Sequence, residues 1–375
     1  TRFPIEGLRT NIGGSVDYLP TDPLDTSRFS AEMARRAARE AIAESGIGRP
    51  GSFPGQMFLA APPIDMEWSR RMALADRSAA TRYSELLELA ADGAEEIHRG
   101  SLNGGIAAEL MAEFGPEGSP ITLSTACASG ASAIQLGVEA IRRGACDAAL
   151  AIGTDGSIQP EALIRFTLLS ALSSANDEPS KAAKPFSKNR DGFVMAEGAA
   201  ALVLEDPERA RERGATILAY ILGCGEAADT FHRTRSNPSG AAIVRCMREA
   251  LEDAGLGIED VDYINAHGTG TPENDKMESF GIQQLFGDRA GRVPISSNKS
   301  MIGHTLTAAG AIEAAFSILT LRNELLPPTI NYHQPDPTIP LDVVPNRARP
   351  AKPRTALSNS FGFGGQNVSL VFGAA

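Results

Sequence analysis

The chain has 375 residues, 42% of them hydrophobic and 22% charged, with a formal net charge of −11. That balance belongs to a globular protein of about two domain-sized units, and it excludes a nucleic-acid surface, which needs concentrated Lys and Arg. No run approaches the roughly 18 consecutive apolar residues of a bilayer-crossing helix, so no membrane span is expected.

The opening Thr1-Arg2-Phe3-Pro4 shows no charged-then-apolar export signal. Residues 27–45 place Ala, Met and Ile at helical spacing among Arg and Glu, which predicts an amphipathic helix; further helices are expected over 80–98 and 105–113. Residues 120–125 read as a buried strand that leads through small residues into a helix ending near Arg143. Residues 147–153 form a second strand rich in Ala, Leu and Ile. Strand, helix and strand with short links predict an α/β fold with parallel sheet layers covered by helices. The polar stretch 170–192 predicts a long surface loop of functional or mobile character. A strand over 198–204 precedes a charged helix at Glu205-Asp206-Pro207-Glu208, and the boundary between two halves, 1–206 and 207–375, is placed there.

An internal repeat points to duplication. Gly130-Ala131 heads a helix ending at Ile141-Arg142, and Gly310-Ala311 heads one ending at Leu321-Arg322, at a constant offset of 180. In the same order, Gly192-Phe193 precedes strand 199–204 and Gly362-Phe363 precedes strand 367–372.

The four cysteines, Cys127, Cys146, Cys224 and Cys246, contain no Cys-x-x-Cys pair. They suit neither a zinc site nor a disulfide framework, so reduced thiols and a cytoplasmic location are expected. A lone cysteine is most often a small buried hydrophobe. Cys127 differs because it sits at a strand–helix junction among small residues. A helix N-terminus there favours thiolate, and the small neighbours leave the sulfur accessible. His267, in Asn265-Ala-His-Gly-Thr-Gly-Thr271, and His304, in Met301-Ile-Gly-His304, each follow a short apolar strand and lie among Gly and Thr. One such histidine is more often structural; two in matching settings beside a poised cysteine point to catalysis. No ligand-spaced carboxylate cluster accompanies them, so no metal is expected. Gly362-Phe363-Gly364-Gly365 is a tight turn that can also aim backbone N–H groups at an oxyanion. Gly223-Cys-Gly-Glu-Ala-Ala228 matches a loose dinucleotide pattern, but the segment after it cannot be the required helix, so nucleotide binding is rejected.

Five pieces taken in order carry a resemblance: Thr125-Ala-Cys-Ala-Ser-Gly130, Asn189-Arg-Asp-Gly-Phe193, Ala266-His-Gly-Thr-Gly-Thr-Pro272, Asn298-Lys-Ser-Met-Ile-Gly-His304 and Asn359-Ser-Phe-Gly-Phe-Gly-Gly365. Together they resemble the elongating β-ketoacyl-acyl-carrier-protein synthases, from about residue 120 to the C-terminus. The resemblance implies a thiolase-like fold, a duplicated five-layered α-β-α-β-α architecture, with a homodimer and a first strand ahead of Thr1. It implies that Cys127 carries the acyl chain as a thioester and that His267 and His304 hydrogen-bond the malonyl thioester as CO2 leaves. Backbone N–H groups of Cys127 and of the gating residue Phe363 would form the oxyanion hole. Lys299 would be an orienting charge near His304, with Glu278 or Glu313 as its partner. Thr269 and Thr271 would bind the substrate's pantetheine arm, and Phe361 and Gly364 would also bind substrate. No cofactor is implied beyond the phosphopantetheine that acyl-carrier protein, the implied partner, brings with it.

Departures from the family pattern are Gly270, Ala196 and Gln366 in loops, and Ser170 where relatives often carry Arg on the carrier-docking face. A thiolase would need a second cysteine in 361–365, which has none. A silent chain-length partner would lack Cys127. A Cys/His hydrolase would lack the second histidine and the Lys299 motif.

Overall fold

The computed structural model describes residues 3, 5–20, 25–49, 51–63 and 103–375, with isolated positions between 72 and 91. The helix expected over 80–98 falls almost wholly outside the described residues. Helix α1 (Thr26–Ser45) starts where Asp25 accepts the Arg28 N–H and ends at left-handed Gly46. Such a carboxylate cap satisfies one of the orphan donors of the first turn. Strands β1 (Gln56–Ala60), β2 (Ile121–Leu123), β3 (Ala148–Asp155) and β4 (Gly198–Glu205) form one sheet in the order β2-β1-β3-β4. All neighbours are parallel except β3 with β4. Every residue of β3 is buried, which explains its unbroken Ala/Leu/Ile run. The strand expected over 120–125 is shorter and partly open, with Ile121 41% exposed, because β2 lies at the sheet's edge.

The second half repeats the plan. Strands β5 (Ala219–Ala228), β6 (Tyr263–Asn265) and β7 (Pro294–Ser296) join β9 (Asp342–Val343), β11 (Thr355–Phe361) and β12 (Gln366–Ala374), in the order β5-β12-β11-β6-β7-β9. The short β8 (Leu325–Leu326) and β10 (Arg349–Pro350) pair separately. Of the helices, α2 (Asn103–Phe114) joins α1 on the outer face of the first sheet. Helices α3 (Ser129–Arg142) and α9 (Ala309–Asn323) fill the space between the sheets. Helices α6 (Ala241–Asp253) and α7 (Pro272–Phe286) cover the outer face of the second sheet. The result is five layers, α-β-α-β-α, as the resemblance implied. Shorter helices α4 (Pro160–Leu168), α5 (Pro207–Glu212) and α8 (Lys299–Ile302) fill the links.

The repeat has a physical counterpart at the centre. A Cβ on Gly130 would lie 2.5 Å from Ala311 N, and one on Gly310 would lie 2.5 Å from Ala131 N. The contact is reciprocal, so a pseudo-twofold axis runs between α3 and α9. Gly130→Ala should therefore destabilise the protein by about 2 kcal/mol, because overpacking against a neighbouring backbone outweighs the ~1 kcal/mol gain in helix propensity. Urea unfolding measures this; an unchanged or higher midpoint would mean that the helices can part freely.

Of the two characters expected for the surface loop 170–192, functional or mobile, its packing speaks against mobility. It contains a single 3₁₀ turn at Pro179–Lys181, and Ala182, Ala183, Phe186 and Ser187 are buried. Its polar groups find partners within the fold. Arg190 pairs with Asp336 at 2.7 Å, the Phe186 N–H donates to Asp275 Oδ2 at 2.7 Å, and the Gly192 N–H donates to Gly270 O at 3.1 Å. A polar composition signals a loop, but these bonds turn the loop into a fixed strap.

Candidate active site

Two left-handed elbows of the same shape carry the site. Ala126 (φ 49°) and Leu306 (φ 47°) each open a 3₁₀ turn, Ala126–Ala128 and Leu306–Ala308, that runs into α3 and α9. A left-handed conformation in a non-glycine residue costs roughly 1–2 kcal/mol, and such strain is held only where packing fixes it. The first elbow presents Cys127, and the second begins two residues after His304. Their spacing of 180 positions matches the helix repeat, which located the helices but not the elbows.

Cys127, His267 and His304 come together although they lie far apart in sequence. His304 Nε2 is 3.1 Å from Cys127 Sγ, and the sulfur and the two imidazoles each bring one nitrogen or sulfur atom within 4.8 Å of the others. The rings of His267 and His304 meet edge to face, with centroids 5.4 Å apart. Phe193 packs edge-on against His304 at 5.0 Å, and Phe361 lies 5.9 Å from His267. Cys127, His267 and His304 are all buried.

The outer nitrogens of the two rings fix their tautomers. His304 Nδ1 accepts the Leu306 N–H at 3.3 Å, and His267 Nδ1 faces the Lys299 Nζ ammonium at 3.4 Å. Both Nδ1 atoms therefore lack a proton, and each ring turns an Nε2–H toward the shared space. Burial, reinforced by the Lys299 charge, holds both histidines well below the ordinary imidazole range, so they stay neutral. Metal-binding imidazoles instead donate outward to a carboxylate or carbonyl. With donors and an ammonium behind them, these rings suit hydrogen-bond donation rather than cation binding.

Lys299 is buried and also donates to His267 O at 2.7 Å, while its ammonium contacts Glu313. Lys299 lies close enough for its charge to act on His304, as expected, while its direct contacts are with His267, because α8 begins beneath the His267 loop. Of the two carboxylates left open, Glu313 is its partner. Glu278 instead accepts the backbone N–H groups of His267 at 2.9 Å and Gly268 at 2.7 Å, and so clamps the loop itself. Burial pushes both Glu278 and Glu313 up to about 7, against the pull of those N–H groups and of Lys299 respectively.

The sulfur also departs from expectation. A thiolate favoured by the helix N-terminus was expected, but burial pushes the Cys127 thiol up to about 11. The Lys299 charge and the Phe363 backbone N–H oppose that rise without cancelling it. The resting sulfur thus keeps its proton at neutral pH. The same Phe363 N–H places the Gly-rich turn beside Cys127, with Gly364 (φ 92°) and Gly365 (φ 88°) in backbone shapes that favour glycine. Thr269 and Thr271 lie next door with their hydroxyl oxygens 2.9 Å apart, and Thr271 Oγ1 also caps α7 by accepting the Asn274 N–H at 3.2 Å. Ser170 (φ 54°) follows the exposed end of α4, where Leu168 is 80% exposed.

Several supporting residues escaped the sequence reading. Asn359 Nδ2 donates to Glu278 Oε1 at 3.3 Å while its Oδ1 accepts from Ser369 at 2.8 Å. Asp275 is fully buried and takes the Phe186 and Gly270 N–H groups, tying the strap to the His267 loop. The signal for Asp275 was its three-residue spacing from Glu278, which sets two carboxylates on one helix face.

A duplicated five-layer α/β fold that joins a cysteine from one half to two neutral imidazoles from the other defines an acyl-transferring enzyme of the condensing class. The β-ketoacyl synthase N-terminal domain profile matches residues 28–210, and the C-terminal domain profile matches 218–333. A 3-oxoacyl-[acyl-carrier-protein] synthase 2 from Coxiella burnetii is 38% identical over 99% of this chain and 89% of its own length. The ketoacyl synthase alpha subunit of the tetracenomycin polyketide synthase from Streptomyces glaucescens is 36% identical, over 98% of this chain and 88% of its own. A solved β-ketoacyl synthase from Burkholderia phymatum superposes with a TM-score of 0.86 at 34% identity, covering 99% of this chain and 90% of that one. A type II polyketide ketosynthase solved with its acyl-carrier protein and a bound hexaketide gives 0.87 at 32% identity, covering 98% and 89%. The chain belongs to the β-ketoacyl synthase family and has its thiolase-like fold.

Proposed function

We propose that this protein lengthens an acyl chain by decarboxylative Claisen condensation with malonyl-acyl-carrier protein, giving 3-oxoacyl-acyl-carrier protein and CO2 in fatty acid or related lipid or polyketide synthesis. Cys127 sulfur attacks the incoming acyl thioester, and the thiol proton leaves on the departing pantetheine sulfur. The malonyl thioester then sits with its carbonyl oxygen between the Nε2–H groups of His267 and His304. Loss of CO2 puts enolate charge on that oxygen, where two neutral, buried donors act without reorganisation. The carbanion attacks the Cys127 thioester carbonyl, and the resulting oxyanion is held by the Cys127 and Phe363 N–H groups; its collapse breaks the C–S bond and frees the Cys127 sulfur, which regains a proton from solvent. Thr269 and Thr271 bind the pantetheine arm, Phe361 and Gly364 also contact substrate, and Lys299, Glu313 and Glu278 hold the His267 loop.

The observation that carries this reading is two imidazoles meeting beside a buried sulfur, with a backbone N–H and an ammonium behind their Nδ1 atoms, an arrangement that assigns their protons to Nε2. A Cys/His hydrolase needs a base beside its sulfur, and here both rings are weak bases. The open outer edge of β2, which no described strand pairs, supports a homodimer. Four free cysteines support a cytoplasmic location. The reading divides the chain into a half carrying the nucleophile, 1–206, and a half carrying both histidines, 207–375. Incubation with acyl- and malonyl-carrier proteins should release CO2 and yield a carrier-bound product longer by two carbons with a 3-keto group, read by mass spectrometry. Free fatty acid without CO2 release would replace the reading with hydrolysis.

A further inference from the structure

Asp155 is a buried carboxyl that the condensation chemistry does not use, yet it bonds directly to the second elbow. It ends β3, in the half of the molecule opposite His304, and is 1% exposed. Its Oδ2 accepts the Thr307 N–H at 3.1 Å and faces Thr307 Oγ1 at 2.7 Å. Its Oδ1 accepts the Ser157 N–H at 3.0 Å and the Ser157 hydroxyl. Thr307 Oγ1 is also 2.7 Å from Thr154 O. This end of β3 is itself fixed, because Thr154 Oγ1 donates to Ser30 O at 2.7 Å and the Gly156 N–H donates to Ser30 Oγ at 2.9 Å. Asp155 therefore grips Thr307 from a rigid support.

Thr307 follows Leu306, the left-handed residue whose N–H is bonded to His304 Nδ1. We infer that Asp155 is a positioning residue that sets the tautomer of His304: by holding the Leu306–Thr307 elbow it keeps the Leu306 N–H on Nδ1 and the ring proton on Nε2. A left-handed backbone in a β-carbon-bearing residue relaxes unless something over-determines it, and the Asp155–Thr307 pair supplies that restraint. Without it the Leu306 N–H swings away, and the tautomer with its proton on Nδ1, which cannot donate into the site, becomes populated. Asp155 touches no reacting atom. Its effect should fall on the step that needs the Nε2–H as a donor, rather than on formation of the Cys127 thioester.

The assignment of that step rests on the proposed function, whereas the tautomer does not, so two readouts are used. Asp155→Asn keeps the size of the side chain but presents an NH2 to either Ser157 or Thr307. In protein labelled with isotopic histidine, with His304→Ala giving the assignment, the wild-type His304 ring shifts should report a proton on Nε2. The shifts of Asp155→Asn should move toward a mixture of tautomers. Malonyl decarboxylation should fall about 10–100-fold, the usual cost of removing a group that orients a first-layer imidazole, with KM for the malonyl carrier and acylation of Cys127 nearly unchanged. Thr307→Val should give a smaller shift in the same direction and Thr307→Ser should restore wild-type values; this pair decides the matter if Asp155→Asn does not fold. Unchanged ring shifts in Asp155→Asn and Thr307→Val would overturn the inference, as would equal loss of acylation and decarboxylation. A wild-type protein with no malonyl turnover would refute the proposed function and leave the tautomer to the spectra.

Discussion

Replacing Cys127 with serine should abolish acyl-enzyme formation, lowering its rate by at least about 10³-fold. The reason lies in the bases on offer. A serine nucleophile works where a neighbouring imidazole can take its proton, but His304 and His267 are held well below the ordinary imidazole range by burial and Lys299. Even the native thiol is raised to about 11. The reaction depends on sulfur's own nucleophilicity and its acidity relative to an alcohol, and oxygen has neither. Ser and Cys are near-isosteric, so the fold should survive. Intact-mass measurement after incubation with an acyl-carrier substrate gives the answer, and normal stoichiometric acylation of the Cys127→Ser protein would remove Cys127 from its assigned role.

His304→Ala should separate the two half-reactions. Loss of one preorganised donor to a developing oxyanion costs about 10²–10³-fold, so CO2 release from malonyl-carrier protein should fall by that factor. Acylation of Cys127 should persist, because the oxyanion donors proposed for that step are backbone N–H groups and Lys299 still supplies positive charge nearby. Labelled CO2 release and intact mass, measured on the same sample, read the two steps. Retained decarboxylation would contradict the donor role, and loss of acylation alone would recast His304 as a base.

Much of the architecture was legible from periodicity. The helices over 27–45 and 105–113 and the helix ending near Arg143, with strands at 147–153 and 198–204, appear within a few residues of where apolar spacing set them. The 180-residue offset exposed the duplicated central helices, because close helix packing demands small residues at matching positions. What escaped was set by contacts distant in sequence. The elbows at Ala126 and Leu306 show no glycine to betray a left-handed backbone. For the strap, functional and mobile characters were both left open, because its charges gave no hint of Asp275 and Asp336 waiting on other elements. The ionisation of Cys127 was misjudged for a related reason: position on a helix is visible in sequence, whereas depth of burial is a property of the whole fold.

In the candidate site, motif context singled out Cys127, His267, His304, Lys299 and the Gly-rich turn, and the structure gathers all of them. It could not say which carboxylate pairs with Lys299, since Glu278 and Glu313 both lie on helices near it and only the packing of α7 and α9 separates them.

The sulfur belongs to one half of the duplication and both imidazoles to the other, with α3 and α9 forming the seam between them. Under the proposed roles neither half alone holds a working set of groups, so turnover would be a readout of how well the two halves dock. A chain severed between β4 and β5 would yield two inert fragments, and any activity regained on mixing them would count the reassembled molecules one by one.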